Sequence, residues 1–94
     1  NDSLSNPLII NALFAAFSGQ FTGDEMATVR NGVYAREYRA TEDKVTWMRW
    51  DANRERDEAE RLGMMTNAGA LARKVGACDA LVMLLRAMES NRVA

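Results

Sequence analysis

The chain has 94 residues, 48% of them hydrophobic and 27% charged, a composition that fits one folded domain and excludes a disordered or membrane-embedded chain. Its net charge of −1 gives no overall positive field to attract nucleic acid or an anionic membrane. It has no histidine, the commonest general base and metal ligand, and its one cysteine, Cys78, cannot form an internal disulfide. We therefore expect no catalytic site, no metal and no other cofactor.

The first segment, SNPLIINALFAAFSG, predicts a short helix over residues 7–18. Pro7 suits the first helical turn, and Gly19 can end the helix in a left-handed turn. Almost every position from Leu8 to Phe17 is apolar, so the helix has no polar side and must be covered by its own fold or by a partner. The run lacks the basic flank and cleavage site of a signal peptide and is too short to span a membrane.

The second segment opens on FTGDEM, which carries two signals of a helix start. Thr22 and Glu25 have the spacing of a capping box, in which each side chain bonds the backbone N–H of the other residue. Phe21 and Met26 can pack across the same start as a hydrophobic staple. We therefore expect a helix that begins at a defined place, directly after Thr22.

A largely apolar stripe, at alternating steps of four and three residues, begins at Tyr34 and continues to the next strong stop at Gly63. Met26, Val29 and Val33 supply the earlier turns on a neighbouring face. The pattern predicts one helix over residues 23–62, continuous or merely kinked. A break into two helices near Gly32 or Thr41 is an alternative, since glycine weakens a helix and ATED at residues 40–43 can form a new N-terminus. A β-hairpin formed by VYAREYR and KVTWMRW is the alternative, because both runs are rich in strand-forming residues. The members of the stripe are Tyr34, Tyr38, Thr41, Val45, Met48, Ala52, Glu55, Ala59 and Leu62.

The third segment predicts a helix over residues 67–90, with Thr66 or Asn67 as its cap. Gly69 and Gly76, seven residues apart, would permit the close approach of another helix. Its apolar residues form one broad stripe of Leu71, Val75, Cys78, Leu81, Val82, Leu84, Leu85 and Met88.

The predicted fold is therefore all-α, in a single domain over residues 1–94. A short apolar N-terminal helix is followed by an antiparallel pair of long helices, as in a helical hairpin or bundle. Two of the three predicted helices have stretches that are apolar on every side, which is more apolar surface than a chain of this length can bury alone. We therefore expect an oligomer.

The most conspicuous polar block is DANRERDEAERL, which resembles a stretch in the all-helical class of chorismate mutases, small helical dimers that rearrange chorismate to prephenate. The resemblance implies that Asp51, Arg54 and Glu55 contribute to an active site in which cations hold a dianionic substrate. The first segment has no charge where that family has a substrate-binding arginine. The same block is also explained as a solvated helix face, with pairs such as Asp57 and Arg61.

A second alternative is a nucleic-acid-binding regulator. YAREYR, with Trp47 and Trp50 downstream, mixes cations with aromatic rings as single-strand binding surfaces do. The acids Glu37, Glu42 and Asp43 interrupt any positive track along a phosphate backbone, which argues against nucleic acid as the partner.

The function we expect is that of a non-enzymatic helical module for protein–protein interaction or structure. Such a module acts as a homo-oligomer or as a subunit of a larger assembly, for example an adaptor or a component of a viral particle, inside the cell or within that particle. Its partners are protein, either itself or other subunits, with no membrane span. The expected interface residues are Leu8, Ile9, Leu13, Phe14, Phe17, Trp47, Trp50, Val82 and Leu85.

Overall fold

Four α-helices and no β-strand make up the part of the chain described by a computed structural model, residues 7–17 and 19–93. The all-α prediction is confirmed, and the hairpin alternative is wrong because both of its runs are helical apart from the turn between the second and third helices. The helices are α1 (Pro7–Ala16), α2 (Gly23–Tyr34), α3 (Tyr38–Arg61) and α4 (Met65–Val93).

The helix predicted over residues 23–62 is two helices, α2 and α3, which corrects the continuous interpretation. The chain turns at residues 35–37, between the two break points that the sequence suggests, Gly32 and Thr41. Thr41 does not cap α3, because the N-cap is Glu37 and Thr41 lies one turn further on. Tyr34, at the end of α2, is 67% exposed and therefore does not belong to the buried stripe. The stripe residues that are buried are Tyr38, Thr41, Val45, Ala52 and Ala59.

Helix α2 ends in a pair of hydrogen bonds that normally accompany glycine. The Glu37 N–H donates to the Gly32 carbonyl at 2.9 Å, and the Arg36 N–H donates to the Val33 carbonyl at 3.1 Å. This is the Schellman arrangement, and it places Arg36 in the left-handed region with φ 58°. An arginine in this conformation gives no stop signal in the sequence.

Helices α3 and α4 pack side by side as the predicted antiparallel pair. Arg49 on α3 contacts Asp79 on α4, with Nε and Oδ1 2.6 Å apart. Glu42, seven residues earlier, contacts Arg86, seven residues later, at 3.1 Å. A step toward the N-terminus of α3 therefore corresponds to a step toward the C-terminus of α4, so the two helices run antiparallel. The short turn between them includes Gly63, whose φ of 74° fits the predicted stop.

A single hydrophobic core joins all four helices. Among residues 8–16 of α1, Ile10 and Phe14 are the buried ones, so one side of the helix is covered by the chain and the other is not. Leu8, for example, is 70% exposed. The full core cluster is Ile10, Phe14, Phe21, Val29, Val33, Tyr38, Val45, Ala77, Cys78, Leu81, Leu85 and Met88.

The start of α2 has the predicted capping box. The Thr22 N–H donates to Glu25 Oε1 at 2.8 Å, and the Glu25 N–H donates to Thr22 Oγ1 at 3.1 Å. The Glu25 carboxylate also accepts from Lys74 Nζ on α4, at 2.9 Å to each oxygen. Phe21 is buried, and Met26 packs against the same core. The capping motif therefore fixes the start of α2 and also ties it to α4.

Candidate interaction surface

The two tryptophans of the chain lie together on the outside of α3. Their ring centroids are 5.8 Å apart and their planes meet at 75°, an edge-to-face contact. Trp47 is 65% exposed and Trp50 is 54% exposed. At 3.6 residues per turn, both positions are roughly half a turn away from the buried stripe that contains Val45 and Ala52. Helix geometry therefore directs both rings away from the core.

Thr46 joins the two rings to line a shallow, open depression of about 380 Å³, which we call the tryptophan patch. The Arg54 guanidinium lies over the Trp50 ring, 5.5 Å from its centroid, at a distance where a cation is attracted to an aromatic face. Arg54 Nη2 is also 3.7 Å from Asp51 Oδ1. The patch is thus an apolar surface with charged residues at its border.

The remaining predicted interface residues are divided between the core and other surfaces. Phe14 is 5% exposed and Leu85 is 0% exposed, because both fill the core of the chain itself. These two assignments are corrected, since a partner cannot contact them in the folded chain. Leu8 is exposed on α1. The other four expected interface residues are half-buried: Ile9, Leu13, Phe17 and Val82.

Among the described residues, five large apolar side chains outside the expected interface set are also exposed. Met83 is 71% exposed, on the side of α4 away from the core, and its apolar neighbours in sequence give no sign of this. Helical phase relative to the buried stripe of α4 is the signal that could have identified it. The others cluster at helix ends, where packing is incomplete: Tyr34, Leu62, Met64 and Met65.

Gly69 and Gly76 lie where no other part of the described chain approaches them. A Cβ added at either glycine would meet nothing within 4 Å. The close helix approach that these glycines permit is therefore not used by α3, which packs on another side of α4.

A charged cleft of about 450 Å³ lies beside the α3–α4 pair. Its charges have both signs, and one pair, Glu42 and Arg86, already bonds across it at 3.1 Å. The cleft is lined by Arg39, Glu42, Asp43, Arg86, Glu89 and Ser90. Within residues 7–17 and 19–93, no group of three or more Cys, Asp or Glu side chains could hold a metal ion.

Cys78 has the properties of a core residue. It is 0% exposed, and burial raises the pKa of its thiol to about 11. A thiol is nucleophilic only as the thiolate, so this environment makes Cys78 unreactive.

The three residues singled out by the resemblance to chorismate mutases all lie on the exposed surface of α3. Asp51 and Arg54 face each other across one helical turn, and Glu55 is exposed beside them. Arg54 already contacts the Trp50 ring. The structure therefore brings Asp51 and Arg54 to the border of the tryptophan patch.

No family model, curated protein or solved structure matches this chain. None of the described helices combines the length and the apolar character needed to cross a membrane.

Proposed function

We propose that the protein is a non-enzymatic helical module that acts through protein–protein association, as a homo-oligomer or as a subunit of a larger assembly. The observation that supports this is the position of Trp47 and Trp50, both more than half exposed and in contact with each other. Tryptophan is enriched among the residues that contribute most to protein–protein binding, and it clusters near the centre of such interfaces.

The energetic argument follows from the apolar area that a partner would cover. At roughly 25 cal/mol per Å², covering the exposed part of each indole would contribute about 2–4 kcal/mol. This is an upper value, because association also costs translational and rotational freedom. Two adjacent tryptophans are therefore enough to form the energetic centre of an interface. The charged residues around them would set the orientation of the partner.

The tryptophan patch is also held in place before any partner arrives. Both rings project from the middle of α3, whose position on α4 is fixed by shared core residues such as Val45 and Leu81. The edge-to-face contact restricts each ring further. A preorganised surface loses less conformational entropy on binding than a flexible one.

Analytical ultracentrifugation over a micromolar concentration series tests the proposal. We expect species heavier than the 10.5 kDa chain, and we expect Trp47→Ala and Trp50→Ala to weaken their formation at least tenfold. Met83→Ala is the matched control, because Met83 is equally exposed but lies on α4.

A second measurement tests whether the protein is a subunit of a larger assembly. A photo-crosslinking amino acid placed at Thr46, inside the tryptophan patch, would be activated in cells that naturally produce the protein. Adducts with protein are expected from this position and not from Arg73 on α4. A chain that is monomeric throughout the concentration series and gives no protein adduct from Thr46 would overturn the proposed function.

A further inference from the structure

We propose that the occupant of the tryptophan patch is a second copy of this chain, which packs its own α3 antiparallel to the first. The two-fold axis passes midway between Trp47 and Trp50. This inference rests on the proposed function and makes it more specific, because it names the partner and the register of the contact.

The outer face of α3 is a continuous stripe along the helix. At 3.6 residues per turn, nine residues of this face fall within roughly 100° of arc, opposite the buried stripe. All nine are exposed, so none is needed to cover the core of the chain itself. In chain order they are Arg39, Ala40, Asp43, Trp47, Trp50, Arg54, Asp57, Glu58 and Arg61.

The four residues in the middle of this stripe, Asp43, Trp47, Trp50 and Arg54, are complementary to themselves when their order is reversed. With the axis midway between the tryptophans, Trp47 lies opposite the partner's Trp50. One turn outward, Asp43 lies opposite the partner's Arg54. Because the axis is two-fold, each of these contacts occurs twice, which gives four tryptophans at the centre and two ion pairs beside them.

The two neighbouring antiparallel registers, with the axis on Trp50 or on Trp47, bring like charges together. With the axis on Trp50, Asp43 would lie opposite the partner's Asp57, and Arg39 would lie opposite the partner's Arg61. Like-charge contacts of this kind are the usual means by which a wrong pairing is disfavoured.

Two more arrangements are disfavoured in the same way. With the axis on Trp47, Asp43 would lie opposite the partner's Asp51. In a parallel pair, Asp43 would lie opposite the partner's Asp43, and Arg54 opposite the partner's Arg54. The midway antiparallel register is thus favoured over these alternatives, because it covers the tryptophans and places Asp43 opposite the partner's Arg54.

The charges needed for these contacts are available in the single chain. Within the described residues, Asp43 makes no ion pair and no side-chain hydrogen bond. Arg54 contacts only neighbours on its own helix, and its side chain is 62% exposed. Exposed pairs of this kind contribute little to stability, so they can rearrange when a partner binds.

A charge-reversal series tests the register in solution. Asp43→Arg and Arg54→Asp should each raise the dimer dissociation constant by roughly 3- to 30-fold, because each substitution turns two attractive contacts into repulsive ones. The variant with both substitutions should recover dimerisation to within about threefold of the original chain, since the pair is restored in reverse. Arg73→Asp, an exposed reversal on α4, is the control and should have little effect.

Cysteine crosslinking distinguishes antiparallel from parallel packing. A mixture of the Asp43→Cys and Arg54→Cys chains should form the mixed disulfide under mild oxidation. If two Asp43→Cys chains crosslink to each other in preference to the mixed disulfide, the helices pack in parallel and the proposal is overturned. The native Cys78 is fully buried and does not interfere.

Tryptophan fluorescence separates failure of this inference from failure of the proposed function. Both tryptophans of the chain lie in the patch, so the tryptophan fluorescence reports only on this surface. The emission maximum should shift to the red when the dimer is diluted to monomer, because both indole rings then become exposed to water. A dimer that dissociates without this shift would use another surface and would overturn the inference while leaving an oligomeric module. A monomer whose Thr46 position crosslinks to a different protein would overturn it in the same way. The absence of any association would overturn both proposals.

Discussion

The Thr41 side chain packs directly against the backbone of Gly32, where α3 meets α2. A Cβ added at Gly32 would lie 1.8 Å from Thr41 Oγ1 and 3.0 Å from Thr41 Cβ. Thr41 is 2% exposed and donates its hydroxyl to the Glu37 carbonyl at 2.6 Å. Glycine is therefore required at position 32 for close approach of the two helices, and this contact offsets its cost within a helix.

We expect Gly32→Ala to destabilise the fold. The added methyl group must displace Thr41 or move α2 away from α3, and overpacking of this kind costs typically about 1–3 kcal/mol. Urea unfolding followed by far-ultraviolet circular dichroism measures the change. Gly76→Ala is the matched control, because that glycine also lies within a helix but has open space around it, and it should stabilise the fold by about 0.5–1 kcal/mol.

A second substitution tests whether Thr41 is the cause. Thr41→Ala removes the Oγ1 and Cγ2 atoms that lie 1.8 Å and 3.1 Å from the added methyl group. The chain with both Gly32→Ala and Thr41→Ala should therefore lose less stability than the sum of the two single losses. If the two losses simply add, the contact between these residues does not explain the need for glycine.

The sequence predicts the fold class and two of the helix boundaries, the start of α2 and the end of α3, because these depend on local chemistry. The FTGDEM motif forms the capping box expected of it, and Gly63 adopts the left-handed conformation expected of a stop. The turn at residues 35–37 could not be predicted, because Arg36 occupies the position where glycine is usual. The apolar stripe continues across this turn only in the linear sequence, so periodicity alone gives no sign of it.

A comparison of the C-terminal ends of α2 and α3 leads to a prediction about Arg36. Arg36 and Gly63 occupy equivalent left-handed positions, but only glycine adopts this conformation without a steric cost. Arg36→Gly should therefore stabilise the fold by about 0.5–1 kcal/mol in thermal or urea unfolding. Lys44→Gly, an exposed position inside α3, should instead destabilise it by about 1 kcal/mol. A loss of stability in Arg36→Gly would mean that the arginine side chain contributes more than its backbone strain costs.

The contact between Glu25 and Lys74 makes the stability of the fold depend on pH. Partial burial of Glu25 opposes its ionisation, but hydrogen bonds from Lys74 and from the Thr22 N–H outweigh this effect and lower the pKa of the carboxyl group. Because the pKa is lowered in the folded state, the contribution to stability is fully present above the ordinary carboxyl pKa of 4.5. It is lost as the pH falls through the lowered pKa.

We therefore expect Glu25→Gln to reduce the free energy of unfolding at pH 7 and to flatten its decline between pH 5 and pH 2. Urea titrations at a series of pH values measure both effects. Asp24→Asn changes the neighbouring exposed carboxyl group and should leave most of the decline in place. If Glu25→Gln and the original chain lose stability in parallel below pH 5, the pairing of Glu25 with Lys74 is not a source of the acid sensitivity.

The candidate surface was predictable only in part. The spacing of Trp47 and Trp50 places them together on one face of a helix, whatever that helix packs against. For Phe14 and Leu85 the sequence gives an apolar residue in an apolar run, and only the packing of α1 and α4 decides that both face inward. Met83 lies in the same apolar run as Leu85 but faces outward, because none of the other described helices covers its side of α4. The helical period of a sequence shows which side chains share one face of a helix. Whether that face is exposed depends on which neighbouring helix covers it.

Cys78 provides a probe of the whole fold, because it is buried in the core between the helices. At pH 8, a thiol whose pKa is about 11 is ionised in about one molecule in a thousand, and the folded chain also excludes the reagent. We expect an aromatic disulfide reagent to label the folded chain at least 100-fold more slowly than the urea-unfolded chain. Labelling should be faster in Gly32→Ala, because that substitution increases the population of open states. Equal labelling rates in the folded and unfolded chains would show that Cys78 is accessible and that the core around it is not closed.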